Sequence, residues 1–154
     1  MSNVIKEFYQ AFSELDAERM VACYHDDVWF ADPAFGPLKG KRAHNMWRML
    51  VESQKGKKFT VTAKDIVCDG QTGSATWEAH YNFGSSARPV HNIIHAKFKV
   101  QDSKIISHLD EFNVHRWATQ AMGFSGRMIG WTSFFRSKLI KQTNSLLDRY
   151  EAQQ

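Results

Sequence analysis

The stretch "CYHDDVWFADPAFG", residues 23–36, decides how the chain is read. Val28, Trp29 and Phe30 favour a pleated surface, and Pro33 cannot donate to a ladder, so "DDVWFADP" predicts a strand that stops at Asp32. Side chains alternate between faces along a strand, so Val28, Phe30 and Asp32 point the same way. Two large apolar residues commit that face to the core, and the carboxylate is carried inward with them. Desolvation favours the neutral acid, which makes Asp32 a candidate proton acceptor near neutral pH. The same residue suits a turn before Pro33 in which its carboxylate takes loop amides. The sequence admits both readings.

Upstream, Val4, Phe8, Ala11, Phe12 and Leu15 recur at helical spacing, and Asp16 is placed to cap a short second helix carrying Met20, Val21 and Tyr24. Downstream, Gly36, Pro37 and Gly40 predict a loop. A third helix follows over 41–54, with Ala43, Met46, Trp47, Leu50 and Val51 as its apolar stripe. The period then changes to two. Phe59, Val61 and Ala63 alternate with polar residues, as do Ala75, Trp77, Ala79, Tyr81 and Phe83. Val90, Asn92, Ile94, Ala96, Phe98 and Val100 share one face of the next strand, and Ile106, His108, Asp110, Phe112 and Val114 that of the last. Helices followed by a meander of four strands describe an α+β domain with helices on one face of a curved sheet.

A chain of 154 residues, 43% hydrophobic and 23% charged, has the size and composition of one globular domain able to bury a core. No apolar run reaches the roughly 20 residues of a membrane span, and "MSNVIKEFYQ" lacks the form of a secretory signal, so a cytoplasmic location is expected. Cys23 and Cys68 stand far apart among hydrophobic neighbours and read as packing residues. The net charge is +4, yet residues 112–147 hold five lysines and arginines and no acid.

The helix-helix-strand run "FYQAFSELDAERMVACYHDDVWFADPAFGPLKG" and the later "KIISHLDEFNVHRWATQAMG" resemble the nuclear transport factor two-like superfamily, in its SnoaL-like and ketosteroid-isomerase-like branch. The resemblance spans roughly residues 3–122. It implies a conical α+β barrel, a curved and mainly antiparallel sheet wrapped around the N-terminal helices, with an apolar pocket and commonly a homodimer. On that reading 1–122 is the domain and 123–154 a C-terminal amphipathic helical extension packed on the domain or dimer. In ketosteroid isomerases the aspartate of the Asp-Pro step is the general base, and Asp32 matches it. That family's oxyanion tyrosine falls at Phe8, with Tyr9 one step round the helix, and its protonated aspartate falls near Ala96. In SnoaL-type cyclases an aspartate of the final strand is the base, a position that Asp110 resembles. The superfold hosts isomerases, cyclases, epoxide hydrolases and non-catalytic domains, so fold alone does not select a reaction.

His108 and Asp110 lie two apart on one strand face. They suit a second acid-base centre beside Asp32, or a buried pair that fixes the sheet. Asn92 is placed to hydrogen-bond a ligand, with Phe30, Trp77, Tyr81, Phe98 and Phe112 as its apolar wall. His91 and His95 share the opposite face near His80 and Glu78, but residues four apart on a strand are separated by about 13 Å, so a metal site is not expected. That histidine-rich face suits a homodimer contact. The aromatic, basic tail is expected to act as a lid or dimer contact, with an anionic membrane surface as the second reading. It lacks a base-stacking motif, so nucleic acid is not expected. The functional expectation is cofactor-free acid-base chemistry on a small apolar carbonyl or related compound. The competing expectation is a ligand-binding or dimerisation module of the same fold.

Overall fold

The computed structural model describes residues 3–154. Asn3 opens the first helix, α1 (Val4–Ser13), its side chain accepting from the Ile5 and Lys6 amides. Asp16 caps α2 (Ala17–Ala22) through the Arg19 amide. The strands are β1 (Tyr24–Asp32), β2 (Gly36–Lys39), β3 (Thr60–Cys68), β4 (Thr72–Phe83), β5 (Arg88–Gln101) and β6 (Lys104–Glu111), with α3 (Lys41–Gln54) between β2 and β3. Three helices end the chain: α4 (Val114–Met122), α5 (Phe124–Ile129) and α6 (Ser133–Ala152). They make an α+β fold on one six-stranded sheet in the order β2-β1-β6-β5-β4-β3. Only the β1–β6 pair is parallel, and the sheet is open, with β2 and β3 as its edges.

Ile5, Phe8, Ala11 and Phe12 of α1 are wholly buried against the concave face of the sheet. Burying each of the larger side chains contributes about 1.5–3 kcal/mol, which is what holds α1 inside the curve. Phe8 stacks on Tyr24 and meets Trp47 and His108 edge-on, while Phe12 meets Trp47 and Trp77. The curvature comes with extra residues in single strands. Asp65, at φ +54, lies in a register shift of β3, and a second shift separates Ser107 from Ile105 opposite Lys99 and Val100. Such bulges bend the strand and increase its twist.

Three sequence expectations change here. Residues 36–39 form β2 rather than loop, paired with β1 across the turn after Asp32. The four-strand meander is therefore part of a six-stranded sheet. Tyr24 starts β1 instead of ending α2, because Cys23 already caps that helix. Ile105, not Ile106, enters the core, since Ile106 is the unpaired residue of the β6 bulge. α6 turns Leu147, wholly buried, into the core.

The last helix grips the rest of the fold through polar groups as well as Leu147. The Arg42 guanidinium donates to Asn144 Oδ1 at 2.9 Å and pairs with Glu151, to which Asn45 also donates at 2.8 Å. Thr143 Oγ1 donates to the Ala34 carbonyl and Asn144 Nδ2 to the Phe35 carbonyl, both at 2.8 Å. These two carbonyls belong to the turn that joins β1 to β2.

Between α4 and α5 the backbones touch. A Cβ on Gly126 would stand 1.9 Å from the Ala118 carbonyl oxygen, so only glycine fits. G126A is expected to push α5 off α4 and lower stability by about 1–3 kcal/mol, the usual cost of overpacking. Urea denaturation beside the exposed control S137A checks this, and equal midpoints would disprove the contact.

Candidate functional site

Asp32 ends β1 because Pro33 stops the ladder and the chain reverses into β2, pairing Asp32 with Gly36. One carboxylate oxygen, Oδ1, accepts from the Ala34 amide at 3.0 Å and the Phe35 amide at 2.6 Å. The turn reading is thus correct. It does not exclude the other, because the carboxyl group is enclosed by protein although the residue as a whole is half-buried. Burial pushes its pKa up to about 7, against the lowering effect of the Phe35 and Ala34 amides and with help from the nearby charge of Asp110.

Beside it lies a polar chain sealed in aromatic side chains. His108 is wholly buried and Asp110 is 2% exposed. His108 Nε2 donates to Asp110 Oδ1 at 2.8 Å, and the Trp77 indole donates to the same oxygen at 3.3 Å. On the other side of the ring, Nδ1 lies 2.6 Å from Tyr24 Oη, which accepts from the Trp47 indole at 2.8 Å. The roles follow from the chemistry: the Asp110 carboxylate only accepts, so Nε2 carries the ring proton and donates to it, and Nδ1 accepts from the Tyr24 hydroxyl, whose oxygen takes the Trp47 indole N–H. Burial holds the Tyr24 phenol well above its ordinary pKa, which keeps that proton in place. Every bond in the chain therefore points toward Asp110, and bonds so aligned reinforce one another. Phe98 and Phe30 pack on the imidazole with ring centroids 4.3 and 5.2 Å away.

Tyr9, one position round α1 from Phe8, is the exception. It is 4% exposed and packs near Trp77 and Phe98. Its hydroxyl is the one buried side-chain oxygen or nitrogen among the described residues with no hydrogen-bond partner. Burial, then the charge of Asp110, hold its pKa well above the ordinary value, so it remains a donor.

Of the residues singled out from sequence, Phe30, Trp77, Phe98, His108 and Asp110 form one cluster. Asp32 adjoins it through the field of Asp110. Tyr81 and Asn92 lie farther up the sheet: Tyr81 sits four residues along β4 from Trp77 and its hydroxyl accepts from Trp117 of α4 at 2.8 Å. Asn92 is 8% exposed on the inner face of β5, opposite Ala79. Phe112 is half-buried between the main core and the small α4–α6 cluster of Val114, Ala118 and Phe135. Sequence reasoning missed Tyr24 and Trp47, which close the chain.

Clefts of about 1340 and 360 Å³ open on the outer surface, beside α3 and α6 and beside β4 and β5, and neither is lined by Asp32, His108 or Asp110. No group of side chains suited to a metal ion occurs among the described residues. None of their helices is long and apolar enough to cross a membrane. Cys23 is buried, which pushes its thiol up to about 11 and leaves it unreactive at neutral pH.

Residues 5–108 match the family model described as SnoaL-like domain. The fold is similar to that of an LEH-like epoxide hydrolase of M. tuberculosis, at 22% identity, covering 82% of this chain and 88% of that one with a TM-score of 0.60. It is also similar to an NTF2-like protein of unknown function from Burkholderia pseudomallei (14% identity, 79% and 99% covered, TM-score 0.65). A protein of ketosteroid-isomerase-like fold from Catenulispora acidiphila, in complex with trimethylamine, matches at 11% identity (79% and 93% covered, TM-score 0.63). At these identities the likeness is one of fold alone. Among curated proteins nothing matches.

Proposed function

Since this chain belongs to the SnoaL-like domain family, we propose that its cone takes a small, largely apolar molecule bearing a carbonyl or related oxygen and moves a proton on it without a cofactor. The observation that carries this reading is the Tyr9 hydroxyl, a buried donor with nothing to bind inside the protein. An unsatisfied buried hydroxyl costs about 1–3 kcal/mol, which a ligand oxygen would recover.

In this reading Asp32 is the base. Its Oδ1 is occupied by the two turn amides, so Oδ2 takes the proton from the carbon next to the carbonyl. The electron pair of that C–H bond moves into the carbonyl, and the oxygen gains charge against the Tyr9 hydroxyl. Returning the proton to another carbon completes an isomerisation; attack by the enolate carbon on a second carbonyl, whose oxygen takes the electron pair and then the proton from Asp32, completes a cyclisation. Asp110, held by His108, is the second polar centre and raises the basicity of Asp32. Phe30, Trp77, Phe98 and Phe112 form the apolar wall, with Tyr81 and Asn92 toward the α4 end. The outer sheet face, where His80 and His91 stack with ring centroids 4.1 Å apart, is kept as the proposed homodimer contact, to be checked by sedimentation.

A phenolate resembles the charged oxygen of an enolate, so 2-naphthol is a suitable probe. Tyr9→Phe is expected to weaken its binding about tenfold or more, the worth of a hydrogen bond to a charged group. The same variant should be as stable as the parent or about 1 kcal/mol more stable, because the hydroxyl it removes is unpaired. Equal naphthol binding by both proteins would reject the assignment.

A second reading, ligand binding without turnover, is favoured by His108, whose two ring nitrogens both find partners within the protein. Deuterium exchange at the α-carbon of cyclic ketones separates the two. Exchange that is lost in Asp32→Asn supports catalysis; naphthol binding without exchange supports the module.

A further inference from the structure

We propose that the α5–α6 corner docks on an anionic lipid bilayer surface. Gly126 lies against the Ala118 backbone of α4 and Gly130 against the Ala118 side chain, which fixes the orientation of α5. Phe124 and Met128 project from the opposite side, 76% and 57% exposed, followed by Trp131 at 71% and Phe134 at 74%. The Trp131 indole donates to the Met128 carbonyl at 3.0 Å, which holds its ring at the surface instead of folding it inward. These rings therefore do not form a lid over the cone.

Charge selects the partner. Phe134, Lys138 and Lys141 follow one another at helical spacing on the outer side of α6, and Arg127 flanks Phe124 and Met128 on α5. No acidic residue occurs between Glu111 and Asp148. Protein interfaces exclude lysine from their apolar centres, whereas tryptophan, phenylalanine and long basic side chains share one depth at a bilayer surface. A patch of rings continuous with a lysine stripe fits lipid headgroups better than a second protein. The basic groups add attraction to an anionic leaflet that fades beyond a Debye length and weakens with salt.

The test is co-sedimentation of the full chain with vesicles of phosphatidylcholine containing phosphatidylglycerol, and with phosphatidylcholine alone. Binding is expected to the anionic vesicles and to fall at least about tenfold in Trp131→Ser/Phe134→Ser and in Lys138→Glu/Lys141→Glu. Raising the salt should weaken it further. Circular dichroism and melting temperature of each variant should match the parent, since all four side chains are exposed. Absence of vesicle binding by the parent overturns the proposal. So does binding that both variants retain, or self-association in sedimentation that Trp131→Ser/Phe134→Ser abolishes while vesicles remain unbound.

Discussion

His108→Leu is expected to lower the unfolding free energy by about 3–5 kcal/mol at pH 8, because it leaves a buried carboxylate short of its main donor and a buried hydroxyl without its acceptor. The imidazole is wholly buried and supplies the 2.8 Å bond to Asp110. Leucine fills much of the same space but leaves the carboxylate with the 3.3 Å indole bond alone, and leaves the Tyr24 hydroxyl with no acceptor. Urea unfolding at pH 8 measures this. A loss below about 1 kcal/mol at pH 8 would show that the chain of bonds contributes little to the fold.

Asp32→Asn is expected to have the opposite effect on stability and a large one on turnover. The carboxyl is pushed up to about 7 in the folded protein, against about 3.9 in an unfolded chain. Between those values the folded state holds a proton that the unfolded chain has released, so stability falls as pH rises through the window and stays lowered above pH 7. The corresponding upper bound is about 4 kcal/mol. Asparagine keeps an Oδ1 acceptor for the Ala34 and Phe35 amides and carries no charge. The variant should therefore be more stable at pH 8 and nearly equal to the parent at pH 3.5. Proton exchange on a bound ketone should fall by about a hundredfold or more, as expected for loss of a general base. A variant destabilised at pH 8 would leave Asp32 as a turn residue alone.

The elements that local pattern dictates were legible in the sequence. Residues 41–54 carry a clean helical stripe, and α3 has those bounds. Alternation ending on Asp-Pro placed Asp32 at the end of β1 and on the face of Phe30, and the two-residue spacing brought His108 and Asp110 to the same side. What was not legible depends on contacts remote in sequence. The four residues of β2 include a proline and pair only because β1 lies beside them. The β6 bulge shifts the inward isoleucine by one position, and strict alternation cannot report that. Tyr24 and Trp47 meet His108 through the parallel β1–β6 pairing and the α3 packing, neither of which leaves a local signal. Tyr9 is conspicuous only because its hydroxyl lacks a partner, a property of the assembled core.

The grip of Thr143 and Asn144 on the turn after Asp32 has a consequence for biosynthesis. The hydrogen bonds join carbonyls to side chains 109 residues later. A chain emerging from the ribosome presents the Asp-Pro turn long before the helix that clamps it exists. The N-terminal helices and strands can collapse in the meantime, but the carboxylate awaits its final setting. Assembly of this corner is therefore expected after translation of α6, with the earliest part of the proposed chemistry completed by one of the latest parts of the chain.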